Sequence, residues 1–359
     1  MLYYLTVIPL LGALIFFHEL GHFLAARLLG VGVETFSLGF GPRLFGKKSG
    51  MTDYRLSAVP LGGYVKMVGE DPDSDEEPED TSISFSHKPV WKRMVIVAAG
   101  PTFNFVLAVL LFFLIGFFSG VDHRTNHLEM VMEGSPAEQA GFLKGDEILA
   151  INGQTIEDFR VVSRTINEGK GAPVEFLVKR NGVEFSITVQ PEETEGKNSF
   201  GEDVKAYKVG IANKVEFIPH RPIASAIYAM DQTWYFTKFT FQALFKFVDR
   251  SIPIDNLGGV ILISQVSAVA AKAGATTFIF IMALLSVNLG IINLFPIPIL
   301  DGGHLLFFLI EGILRKPLSL RVREISMQVG MAALIFLMII VFYFDIARTV
   351  AGKAPGLTG

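Results

Sequence analysis

Four stretches of the chain, residues 1–29, 94–118, 275–300 and 326–344, are apolar for long enough to cross a bilayer as helices, for which about 20 residues suffice. The last three contain no Asp, Glu, Lys or Arg, and the first has no Lys or Arg before Arg27. Inside lipid a backbone must satisfy its own hydrogen bonds, so such stretches fold as helices. Composition agrees, with 50% hydrophobic and 18% charged residues. The first stretch has neither the basic start nor the Ala-x-Ala pattern of a cleaved leader, so it is expected to stay as a span. A polytopic α-helical membrane protein with four transmembrane helices follows.

Orientation is set by Lys and Arg near the span ends. Residues 30–93 hold eight of them, from Arg43 to Arg93, and residues 301–325 add Arg315, Lys316, Arg321 and Arg323. Both loops are expected to be cytoplasmic, with residues 119–274 and both termini outside. The run Glu70–Asp80 has eight acids in eleven residues; acids count little in this rule, and the run reads as a solvated loop. Residues 121–213 alternate short apolar strands with turn signals, including Asn152-Gly153 and Asn181-Gly182. Residues 214–274 read as helical, with aromatic residues from Trp234 to Phe247 interleaved with Lys238, Lys246 and Arg250. Such a helix lies in the membrane interface or packs as an ordinary amphipathic helix. A formal charge of −4 without a basic patch gives no reason to expect nucleic acid. The absence of cysteine excludes disulfides, thiol nucleophiles and Cys-based metal sites, so any metal must be held by His and carboxylate.

The first span contains His18-Glu19-Leu20-Gly21-His22 amid hydrocarbon-compatible residues. Ionisable groups at that depth are costly and mark function by default. Residues four apart share a helix face, so His18 and His22 can offer two imidazoles to one metal, and Glu19 reaches a water beside it. A satisfied core histidine would explain one of these residues but not three. A catalytic zinc takes three protein ligands, so a third must come from elsewhere. Asp301 is the candidate, at the end of Asn293-Leu294-Phe295-Pro296-Ile297-Pro298-Ile299-Leu300-Asp301-Gly302-Gly303. Pro296 and Pro298 must break the helix from about Asn293 onward. Broken backbone at membrane depth is tolerated where it is buried or lines a wet cavity. Alternatively, Asp301 is a helix N-cap or turn residue, and His304 simply a polar residue opening the next segment.

These residues, with Ala98-Ala99-Gly100-Pro101-Thr102-Phe103-Asn104-Phe105 in the second span, resemble the site-2 protease family of intramembrane zinc metalloproteases, in its bacterial RseP-like branch, over essentially the whole chain. The resemblance implies Zn2+ held by His18, His22 and Asp301, with Glu19 as the catalytic glutamate. It implies that Asn293 holds the substrate backbone or stabilises the oxyanion. Gly39-Phe40-Gly41 matches a glycine-rich motif in a cytoplasmic membrane-re-entrant β-hairpin that would pair with unwound substrate, and the alternation in residues 33–45 and 54–67, with Gly62-Gly63, suits a hairpin. Gly134–Phe142 and Lys144–Gly153 look like a PDZ domain of the permuted bacterial type, an inserted extracytoplasmic α+β domain. There is room for one such domain where some members look to have two. PDZ grooves bind peptide ends by strand addition, and Val209-Gly210-Ile211 is a groove candidate. Met230–Trp234 and Asp255–Gly259 look like a region that positions or excludes substrates.

The implied activity is regulated intramembrane proteolysis in the bacterial inner membrane. The substrates would be single-span membrane proteins, such as a pre-cleaved anti-sigma factor or a signal-peptide remnant, cut near the cytoplasmic face. Two other readings make different demands. A non-catalytic membrane PDZ adaptor should have lost Glu19 or a ligand; a transporter using Glu and His as a proton relay should show internal repeats or ionisable groups on several spans.

Overall fold

The computed structural model describes residues 5–70, 80–156, 159–198, 202–219, 221–249 and 258–351. Residues 71–79 of the acidic run and residues 255–257 of the Asp255–Gly259 segment lie outside the described residues. In chain order the elements are α1 (Val7–Leu28), β1 (Val33–Ser49), β2 (Thr52–Met67), α2 (Val90–Leu114), β3 (Val121–Val131), α3 (Pro136–Gln139), β4 (Glu147–Ile151), β5 (Gln154–Thr155), α4 (Arg160–Glu168), β6 (Val174–Arg180), β7 (Val183–Val189), β8 (Glu192–Lys197), β9 (Asp203–Lys208), β10 (Ile211–Ile218), α5 (Pro222–Val248), α6 (Val260–Ala273), α7 (Ala275–Asn293), α8 (Asp301–Leu314) and α9 (Leu320–Val350). The chain divides into two units: Met1–Ile115, Ala224–Phe245 and Pro253–Gly359 in the first, Gly116–Ile223 and Lys246–Ile252 in the second.

In the first unit, α1, α2, α7 and α9 are long and apolar enough to cross a membrane. α9 extends beyond 326–344 at both ends, because a helix continues past the apolar stretch that identifies it. Residues 301–325, expected as a loop, instead contain α8. Its apolar run is too short to span, and it folds because Phe307 and Phe308 bury one face. Small residues let the spans approach closely. A Cβ on Gly21 would sit 2.3 Å from the Ala99 carbonyl oxygen, and one on Gly290 would sit 3.2 Å from that of Pro101, so α1 and α7 both pack on α2 at glycines.

The hairpin of β1 and β2 is more elaborate than a simple two-stranded ribbon. Phe36 pairs with both Tyr54 and Val65, Ser37 with both Arg55 and Tyr64, and Leu38 with both Leu56 and Gly63. The start of β1 is thus the centre of a folded ribbon, and Gly63–Met67 is paired on one side only among the described residues. Two buried ion contacts fasten this unit. Glu311 of α8 binds Arg93 of α2 at 2.6 Å and Arg323 of α9 at 3.0 Å. Asp345 of α9 accepts from the N–H groups of Gly259, Ile261 and Leu262, capping α6 from another helix.

The second unit holds an antiparallel sheet in the order β10-β3-β4-β6-β7, with β5 against β4, and a separate β8-β9 hairpin. Because β10 continues to Ile218, a domain boundary at residue 213 falls within a strand. Asn152 and Asn181 take left-handed backbone in two-residue turns, where Asn-Gly is favoured. The carbonyls of Val209 and Gly210 already accept from Ala137 and Met132, which removes two of the backbone groups that a peptide groove at 209–211 would need.

Asp146 fastens this sheet. It is buried and receives Arg180 at 2.7 and 2.8 Å and the Leu143 N–H at 2.9 Å. Burial pushes its carboxyl upward, but the guanidinium and the N–H outweigh that and hold it below the usual carboxylate range. A depressed folded-state value contributes stability that is complete above about pH 4, where unfolded Asp is ionised, and is lost as pH falls through the lower folded value. Asp146→Asn should cost on the order of 2–3 kcal/mol at pH 7. Hydrogen exchange of β4 and β6 in the full-length protein should show the loss at pH 7 and a narrowing gap from the wild type towards pH 3; a gap independent of pH would contradict it.

Candidate metal centre

His18 and His22 stand one turn apart on α1, as their spacing requires, and turn their Nε2 atoms towards one point. Those atoms are 3.3 Å apart, and Asp301 approaches with Oδ2 3.2 Å from His18 Nε2 and Oδ1 3.6 Å from His22 Nε2. Ligand atoms about 2.0–2.1 Å from a single tetrahedral zinc lie roughly 3.3 Å from one another. The three side chains are therefore grouped closely enough to hold such an ion. Asp301 Oδ2 is also buried and, among the described residues, meets no donor other than the His18 ring nitrogen, as a carboxylate shared with a cation should.

The broken end of α7 delivers Asp301. After Asn293 the chain turns through Leu294–Leu300, with Ile297 N–H donating to Phe295 and Leu300 N–H to Ile297. Leu300 is the N-cap of α8 and Asp301 its first helical residue, making no side-chain capping bond. The N-cap alternative thus gives way to a carboxylate that faces α1. Gly302 and Gly303 permit the turn: a Cβ on either would fall 2.2–2.3 Å from the carbonyl oxygen of Phe295 or Ile297.

Glu19, 8% exposed, lines the same cavity as His18, His22 and Asp301, a space of about 480 Å³. Tyr64, Val65 and Met67 from the one-sided edge of the ribbon also line it. Gly63 is the joint, since a Cβ there would lie 2.9 Å from Glu19 Cγ. Asn293 Nδ2 is 3.4 Å from His18 Nδ1, at the edge of the cluster. Gly39, Phe40 and Gly41 are not among the described residues of the cavity wall; Phe40 connects to it by stacking on Tyr64 at 6.1 Å. His304, in the second turn of α8, also lines the wall.

Two residues of α2 received no role from the sequence. Gly100 faces both imidazoles, and a Cβ there would lie 2.2 Å from His22 Nε2 and 2.9 Å from His18 Cε1. Asn104, fully buried, places its amide nitrogen 3.1 Å from His18 Nδ1. The signal available was a polar amide inside an apolar span, one turn after a glycine.

Residues 6–337 match the model of peptidase family M50. The chain belongs to that family. Among its M50-like relatives, a candidate zinc metalloprotease of Campylobacter jejuni is 37% identical over 97% of this chain and 94% of its own length. One from Clostridium perfringens is 36% identical over 96% and 98%. The zinc metalloprotease RasP of Geobacillus kaustophilus is 29% identical over 96% and 97%. M50 peptidases use zinc, and the donor set described above suits it. Valine at Gly100 should displace the imidazoles and abolish zinc retention, measured as metal content of the purified protein. Gly12→Ala on α1, where a Cβ meets nothing within 4 Å, should retain it.

Proposed function

We propose that this M50 member is an intramembrane endopeptidase of the site-2 type, cutting within or beside the transmembrane segment of a single-span membrane protein. The observation that carries the reading is the joint placement of His18, His22 and Asp301 around one point, with Glu19 in the same cavity and the histidines and Glu19 on a helix apolar enough to span. Zinc bound by these three residues would supply Lewis-acid polarisation of the scissile carbonyl and a water of lowered pKa. Glu19 takes the proton of the attacking water and returns it to the leaving amine, a role typically worth roughly 10²–10⁴-fold. Asn293 offers an amide N–H to the substrate carbonyl as charge develops on its oxygen.

A helical substrate shields its peptide bonds in its own hydrogen-bond ladder, so it must be unwound before attack. The one-sided edge Gly63–Met67, lining the cavity beside Glu19, supports capture of the unwound strand by β-augmentation. Gly39-Phe40-Gly41 acts behind that edge, Phe40 holding Tyr64 by stacking. The ribbon is re-entrant from the cytoplasmic side of a bacterial inner membrane, and residues 121–213 are a PDZ domain outside that filters or docks substrates. Pre-cleaved anti-sigma factors and signal-peptide remnants are the substrate classes that suit a filter of this kind.

Glu19→Gln should leave the protein folded and zinc-loaded but unable to cleave a model single-span substrate in reconstituted membranes. Cleavage at the wild-type rate by that variant would overturn the assignment.

A further inference from the structure

The two ring nitrogens of His18 have different tasks. Nε2 faces the cluster formed with His22 and Asp301, so in the neutral imidazole that binds a metal through Nε2 the hydrogen resides on Nδ1. That N–H needs an acceptor, because the partner of the second nitrogen fixes the tautomer and aims the ring. For His22 the acceptor is the Ile96 carbonyl, 3.0 Å from Nδ1. For His18 the neighbours are two side-chain amides, Asn104 at 3.1 Å and Asn293 at 3.4 Å.

With both amides presenting nitrogen, donor would face donor. Asn104 meanwhile has its Oδ1 buried without a partner. The nitrogen and oxygen of an amide are nearly isosteric, so turning that group about its last bond exchanges them in the same space. One polar atom of Asn104 remains unpaired in either orientation, but only the turned one gives Nδ1–H an acceptor. The side chain is well placed for this task. Asn104 is 0% exposed, and its own backbone carbonyl accepts from Ser286 Oγ of α7 at 2.7 Å. Ile96, Gly100 and Asn104 succeed one another at four-residue intervals on α2: one acceptor, the gap into which the imidazoles fit, and the second acceptor.

We propose that Asn104 is the positioning residue of His18, its side-chain carbonyl accepting the Nδ1 hydrogen and thereby holding Nε2 ready for the metal. α2 thus orients both histidines, one through a backbone carbonyl and one through a side chain. Asn293, half-buried and farther from the ring, keeps its N–H groups for the substrate. The inference rests on the zinc centre proposed above and adds nothing to the ligand set.

The test uses full-length protein in detergent and zinc itself, titrated against a chromophoric chelator. Asn104→Leu, similar in size and unable to accept, should weaken zinc binding about 10–100-fold. Asn104→Asp, which can only accept, should bind at least as tightly as the wild type. With Co2+ in place of zinc, the d–d absorption of the Asp variant should match the wild type, whereas that of the Leu variant should shift. Wild-type affinity in the Leu variant would overturn the assignment. So would tenfold weaker binding in the Asp variant, which decides the matter even where Leu prevents folding. A wild-type protein that fails to hold zinc would instead sink the metal centre, and this assignment with it.

Discussion

A carboxylate set against two imidazoles inside an apolar bundle is the arrangement on which the first unit turns. Moving a lone carboxylate from water to a low-dielectric interior costs several kcal/mol even after relaxation. Asp301 is held there with each of its oxygens facing the Nε2 of one histidine. Such a cluster is stable when a cation completes it, and the separations match those set by one tetrahedral ion. Everything around the cluster serves to bring together groups nearly three hundred residues apart. α1 supplies two ligands at one turn's spacing, the prolines end α7, and Gly302-Gly303 fold the next helix back onto the turn.

α2 is the template against which those parts are aligned. Glycine contacts set how deeply α1 and α7 sink against it, and Gly100 leaves the volume that the imidazoles occupy. The strand ribbon docks on the other side of α1 through Gly63, so its unpaired edge and Glu19 share one cavity. Chemistry and substrate capture therefore depend on the same close packing. A change that moved α1 by the radius of a methyl group would disturb both at once.

What could be read from sequence followed from rules that act locally. The pair His18 and His22 with Glu19 between them was legible because helix periodicity is fixed, and the break after Asn293 because proline denies a helix its donors. Asp301 was a candidate because zinc needed a third ligand and the prolines broke the backbone before it, and the family resemblance chose the ligand reading over an N-cap. α8 was hidden because fourteen residues are too few to span, and a short apolar run that ends at Arg315 and Lys316 resembles part of a basic loop. The double pairing of β1 was hidden because period-two alternation gives which face a residue occupies but not how many neighbours its strand has. Asn104 stood within a quoted motif without a role, since nothing local says that its amide meets a histidine eighty-six positions earlier.

The buried acids separate by the partners they keep. Glu311 is held between two guanidiniums, Asp345 takes three backbone N–H groups at the start of α6, and Asp146 takes Arg180 and Leu143. Each is satisfied within the protein and fastens elements together, so its loss would leave a buried donor or charge without a partner. Asp301 differs, because it faces no guanidinium or ammonium among the described residues and its oxygens approach two imidazoles that must stay neutral to bind metal. Burial alone therefore does not distinguish a functional carboxylate in this bundle. What sets Asp301 apart is its place against two imidazoles on a neighbouring helix, and the unmatched amide of Asn104 lies on the helix that orients those rings.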